Sequence, residues 1–131
     1  MTHMVRKVRR KFRNLLYGAF RKLQLIPFIF THMSFALPVR RLRETETLLA
    51  FHHPRSNYPL HVLLVPKRAI SSLSDLTPSD APFLTDLFAA VQSLVTEFHL
   101  EQGGYRLIAN GGKYQDFPHL HFHLISDNVI Q

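Results

Sequence analysis

Residues 119–124 read "HLHFHL", placing His119, His121 and His123 at every second position. On a strand, side chains alternate between faces, so these three imidazoles project together roughly 7 Å apart at successive positions, while Leu120, Phe122 and Leu124 point into a core. Three chemistries fit such a row. It could be a His-rich exposed face in a chain with nine histidines. It could be a metal site, since catalytic zinc takes three protein ligands and an open position, although residues i, i+2 and i+4 of one strand span too far to meet at one ion. Or it could act on phosphate. A neutral imidazole is a competent nucleophile near pH 7, and neighbouring rings can hold its tautomer and contact phosphoryl oxygens.

The elements that must carry these residues can be read from periodicity. "TLLAF" (47–51) and "LHVLLV" (60–65) are short apolar runs separated by "HHPRSNYP", a loop signal between two paired strands. From Leu84 the period changes. Leu84, Leu87, Phe88, Val91, Leu94, Val95 and Phe98 follow helical spacing, Thr77-Pro78 supplies a start signal, and Gly103-Gly104 lies beyond the end. "YRLIAN" and "HLHFHLI" read as two further strands around the turn "NGGKYQD". The expected architecture is α+β, a mainly antiparallel sheet with one long helix on one face.

Composition divides the chain. Residues 1–43 hold eleven Lys/Arg and no acid, whereas 44–131 hold five Lys/Arg against nine acids, so the net +7 belongs to an N-terminal arm. In the arm, Val5, Val8, Phe12, Leu15, Leu16, Ala19, Phe20 and Leu23 recur at helical spacing with cations on the other face. A basic amphipathic helix of this kind packs on its own domain or a second subunit, or lies on an anionic membrane. We therefore expect an arm over residues 1–28 and a compact soluble domain over 29–131, with membrane-surface contact, if any, through residues 1–24. The apolar stretch after the arm is interrupted by Pro27 and His32 and is too short to span a bilayer. Arg21 and Lys22 interrupt any export signal, so the expected location is the cytoplasm. Nucleic-acid binding has the charge but no accompanying aromatic recognition motif. Cysteine is absent, which excludes disulfides and thiolate metal sites.

"HLHFHL" resembles the H-φ-H-φ-H-φ-φ signature of the histidine triad (HIT) superfamily of nucleotide hydrolases and transferases. "ETLLAFHHPRSNYPLHVLLVPKRAISSLSDL" is similar to the N-terminal half of that family, and "IAN" followed by a glycine turn and a Gln four residues before the first His is similar as well. The likeness covers about residues 29–126. It implies that His121 attacks the α-phosphorus of a nucleotide to form a covalent nucleotidyl-histidine, which water then hydrolyses. His119 and His123 would orient it and contact phosphate oxygens, and His61 would support the imidazole of His121 from the neighbouring strand. Phe51, His53, Asn110, Gln115 and Asp116 fall at nucleotide-binding positions. The implied substrates are phosphoramidates, acyl adenylates or dinucleoside polyphosphates. The implied assembly is a homodimer of the Hint-like branch, with no cofactor and no metal.

The chain departs from the family pattern at three positions. His53 stands where a ribose-binding Asp is common, replacing an acceptor-only group with one that donates and accepts. Asp116 stands where Ser or Thr is common. Beside a phosphate its carboxylate must be protonated, turned away or a proton donor to the leaving group, and turned away is the expectation. Ala69 replaces the histidine of "PK-x-H". The lost ribose carboxylate supports a second reading, a nucleotide-binding sensor or interaction module tethered by the arm.

Overall fold

The computed structural model describes residues 40–127. The arm and its boundary at residue 28 lie outside them. Five strands, β1 (Arg41–Glu44), β2 (Leu48–His52), β3 (Leu60–Pro66), β4 (Arg106–Ala109) and β5 (Phe122–Ser126), form one sheet in the order β1-β2-β3-β5-β4. Every neighbouring pair is antiparallel. Helix α1 (Ala81–Glu97) covers one face, and a short helix α2 (Leu100–Gly103) follows it.

Alternation assigns the faces. Leu48, Ala50, Leu60, Val62, Leu64, Phe122 and Leu124 point toward α1 and are buried with its Phe83, Leu87, Val91, Leu94 and Val95. A buried aliphatic or aromatic side chain of this size contributes about 1.5–3 kcal/mol, so this layer is the main source of cohesion. The opposite face carries a smaller cluster of Leu49, Phe51 and Val65 with Leu63 packed against it. His61 and His123 share that second face.

The start of α1 is built from the expected residues in a different order. Pro78–Asp80 forms a 3-10 turn, and Asp80, which accepts from the Thr77 N–H at 3.0 Å, occupies the N-cap of the helix. Asp80 also receives two bonds from the Arg68 guanidinium, Nε at 2.9 Å and Nη2 at 2.8 Å. The guanidinium holds the Asp80 carboxyl below its ordinary value. The helix ends earlier than the glycine pair suggests. Its C-cap is Phe98, His99 takes the left-handed conformation at φ 54, and Gly104 at φ 87 closes the following turn.

One sequence expectation is corrected here, and one strand is new. Phe88 is 56% exposed and Phe83 is buried in its place, because the helix–sheet row runs Phe83, Leu87, Val91 and Leu94, with Phe88 a hundred degrees round from Leu87. The charged strand β1, "RLRE", was not anticipated at all. It pairs at the sheet edge with a bulge between Arg41 and Arg43, where lack of burial removes the apolar signal that marks interior strands.

Candidate active site

Only His123 of the histidine row lies within β5; His119 and His121 occupy the irregular run that leads into it. That run is nonetheless anchored. The Leu120 N–H donates to the Ile70 carbonyl at 2.7 Å, and the buried His119 ring donates from Nε2 to the Pro66 carbonyl at 3.0 Å. His119 has no exposed surface, so it does not present itself to a ligand as the sequence led us to expect. Its backbone does instead. The His119 carbonyl accepts from the Nδ1–H of His121 at 2.7 Å. A neutral imidazole carries one hydrogen, so this bond leaves the lone pair of His121 on Nε2.

The register of β3 and β5 brings the upstream histidine in. Leu63 pairs with His123 and His61 with Ile125, so His61 and His123 are diagonal neighbours on one face. Their rings meet Nε2 to Nδ1 at 2.8 Å. His61 therefore supports His123, not His121 as expected from sequence, and His123 in turn packs edge-on against His121 with centroids 4.9 Å apart. The far end of His61 is held by a residue that sequence reasoning missed. Ser56 Oγ lies 2.7 Å from His61 Nδ1 and accepts from the Tyr58 N–H at 2.9 Å. A serine in a proline-flanked loop gives no signal by itself; only the fold of residues 53–59 back over His61 reveals it.

Burial and the surrounding imidazoles keep these rings neutral. Burial is the larger cause, with His53, His123 and His121 adding to it, in pushing His61 down to about 4. His123 is pushed down to about 4 by burial and by His121, against an opposing pull from Asp116. His119 is lowered chiefly by burial.

The other expected residues fall around this line. Phe51 is buried in the second-face cluster. His53 continues the β2–β3 register through its N–H bond to the His61 carbonyl at 2.8 Å, and its ring stacks on His61 at 4.4 Å and 22°. Its Nδ1 accepts from the Arg55 N–H at 3.0 Å, which puts its hydrogen on Nε2. Asn110 follows β4, half-buried, and the β4–β5 register extrapolates to a place opposite His121. Gln115 does not aim its amide hydrogens at a ligand: Nε2 donates to the Ser71 and Phe117 carbonyls at 2.7 and 2.8 Å and pins the loop ahead of His119. Asp116 is 76% exposed and its Oδ1 stands 3.5 Å from His121 Nε2. It faces His121 Nε2 and is not turned away from it. Among the described residues no group of three or more His, Asp or Glu side chains is arranged to hold a metal ion.

The model of the HIT domain matches residues 35–129. The chain belongs to the HIT family. An uncharacterized HIT-like protein of Azospirillum brasilense is 32% identical over 93 residues, 69% of this chain and 76% of its own length. The crystal structure of a HIT family hydrolase from Legionella pneumophila superposes with a TM-score of 0.69 at 26% identity, covering 79% of this chain and 94% of that one. A histidine triad nucleotide-binding protein from Candida albicans gives a TM-score of 0.63 at 27% identity over 74% and 71% of the two chains. The five-stranded sheet with one long helix is thus the HIT fold, and the imidazole line lies on the sheet face that α1 leaves uncovered.

Proposed function

We propose that this HIT protein cleaves nucleotides at the α-phosphorus through a covalent nucleotidyl-histidine at His121. The observation that carries the reading is the 2.7 Å bond from His121 Nδ1 to the His119 carbonyl, which directs the Nε2 lone pair outward. Nε2 attacks phosphorus and forms the P–N bond, and the leaving group departs with its bonding pair and takes up a proton. Water then attacks the same phosphorus, the P–N pair returns to Nε2, and the nucleoside monophosphate is released. In its neutral form the ring attacks through the Nε2 lone pair with no prior loss of a proton. The substrate class is a phosphoramidate, acyl adenylate or dinucleoside polyphosphate.

The test is release of nucleoside monophosphate from an adenosine phosphoramidate by the protein and by His121→Ala. Turnover lost in the variant supports the reading; equal turnover in both overturns it. A nucleotide-binding sensor is the second reading, favoured by the His53 ring where the family commonly has a carboxylate. Nucleotide affinity with no turnover of any of the three substrate classes would select it.

We infer further that residues 29–131 are the catalytic domain and act as a cytoplasmic homodimer, while residues 1–28 are a separate basic arm. Sedimentation showing only monomer at micromolar concentration would remove the dimer. Among the described residues no helix is long and apolar enough to cross a membrane. Removal of residues 1–24 that abolishes liposome binding and spares turnover would make the arm an address for a membrane surface.

A further inference from the structure

We propose that Ser56 is the positioning residue of a proton-ordered line, Ser56–His61–His123, whose order leaves a hydrogen on Nε2 of His123 for an anionic phosphoryl oxygen. The identity of that oxygen rests on the proposed function above; the order of the protons does not.

The line is continuous: Ser56 Oγ to His61 Nδ1 is 2.7 Å, and His61 Nε2 to His123 Nδ1 is 2.8 Å. Both rings are neutral at pH 7, so each carries one hydrogen, and the whole line has two self-consistent orders. In one, serine donates to His61 Nδ1, His61 Nε2–H donates to His123 Nδ1, and the hydrogen of His123 sits on Nε2. In the other, every direction reverses and Nε2 presents a lone pair.

The serine end chooses between them. Its oxygen already accepts from the Tyr58 N–H at 2.9 Å with one lone pair, and His61 Nδ1 at 2.7 Å is the acceptor within reach of its own hydrogen. The reversed order would make Ser56 accept twice and leave its hydrogen without an acceptor among the described residues. The site end agrees. His123 Nε2 is a buried nitrogen with no hydrogen-bond partner, on a ring 4.9 Å from that of His121. A lone pair there would repel an incoming phosphoryl oxygen, while an N–H would bind it and recover the cost of its desolvation. His61 itself is held in plane for this transfer by the stacked His53 ring and by Tyr58 edge-on at 5.6 Å.

The test reads the protons directly. Nitrogen-15 NMR of the full chain at pH 7 distinguishes protonated from bare ring nitrogens. The expected pattern is bare Nδ1 and protonated Nε2 on both His61 and His123, with both rings losing that single preference in Ser56→Ala and regaining it in Ser56→Thr, which keeps the hydroxyl. The reversed pattern in the native chain, or an unchanged pattern in Ser56→Ala, overturns the proposal. Kinetically, Ser56→Ala should lower kcat by about 2- to 12-fold, the worth of one neutral hydrogen bond, with Ser56→Thr restoring it. The two readouts also separate failures. The expected proton pattern without turnover of any nucleotide would sink the proposed function and leave the line intact. Turnover with the reversed pattern would do the opposite.

Discussion

Asp116 offers the sharpest perturbation of the site, because an ionised carboxylate that repels the phosphate and a carboxyl that hands its proton to the leaving group predict opposite signs. Its Oδ1 is 3.5 Å from His121 Nε2, and a phosphorus poised for attack would sit about 3–3.5 Å from that nitrogen, so with the two directions roughly at right angles the carboxylate would lie about 5 Å from the phosphoryl group. The carboxylate is 76% exposed, and a dielectric near that of water applies. Two unit charges at about 5 Å then repel by about 0.8 kcal/mol, roughly a fourfold factor. Asp116→Asn should therefore raise kcat/KM for an anionic nucleotide about fourfold at low salt. The gain should vanish at an ionic strength of about 1 M, where the Debye length falls to about 3 Å. Steady-state kinetics of the two proteins at both salt concentrations is the assay. A loss of about a hundredfold or more in Asp116→Asn would refute the reasoning, since that is the signature of a carboxyl that hands its proton to the leaving group.

Three further outcomes follow from the same geometry. Leu94 is fully buried between α1 and the sheet, and Leu94→Ala should cost about 2–5 kcal/mol in denaturant unfolding. His61 and His123 are held near 4 in the folded protein against an ordinary 6.5, so between about 6.5 and 4 the unfolded chain binds more protons. Stability is therefore complete above about pH 6.5 and declines as pH falls through that window, which a series of denaturation midpoints will show; a midpoint unchanged down to pH 4 would contradict it. Gln115→Ala removes both bonds that pin the loop, and hydrogen exchange of residues 111–118 should quicken while the midpoint of global unfolding shifts little.

Much of the frame was legible because it is periodic. The interior strands and α1 bury one side of a regular element, and that leaves a spacing of two or of three to four in the sequence. The row His119, His121, His123 was legible for the same reason, and so was its likeness to the HIT signature. What stayed hidden depends on register and on loops. His61 reaches His123 only because Leu63, not His61, pairs with it across the strands. Ser56 meets His61 through a loop whose course no local pattern encodes. Burial of the His119 ring against Pro66 follows from the chain leaving regular strand geometry before Phe122, which alternation alone cannot show. The orientation of Asp116 differs from expectation because the electrostatic reasoning supposed a phosphate already in place, whereas the folded chain sets the carboxylate beside the His121 ring.

The most direct test of the account is the covalent intermediate itself. The protein would be mixed with an adenosine phosphoramidate, quenched within the first turnover under conditions that preserve P–N bonds, and analysed by intact mass and peptide mapping. The account predicts one nucleoside monophosphoryl group on His121, formed and consumed at rates consistent with turnover and missing from His121→Ala. Product release without any adduct on His121, or an adduct on another residue that turns over as fast as product appears, would contradict it.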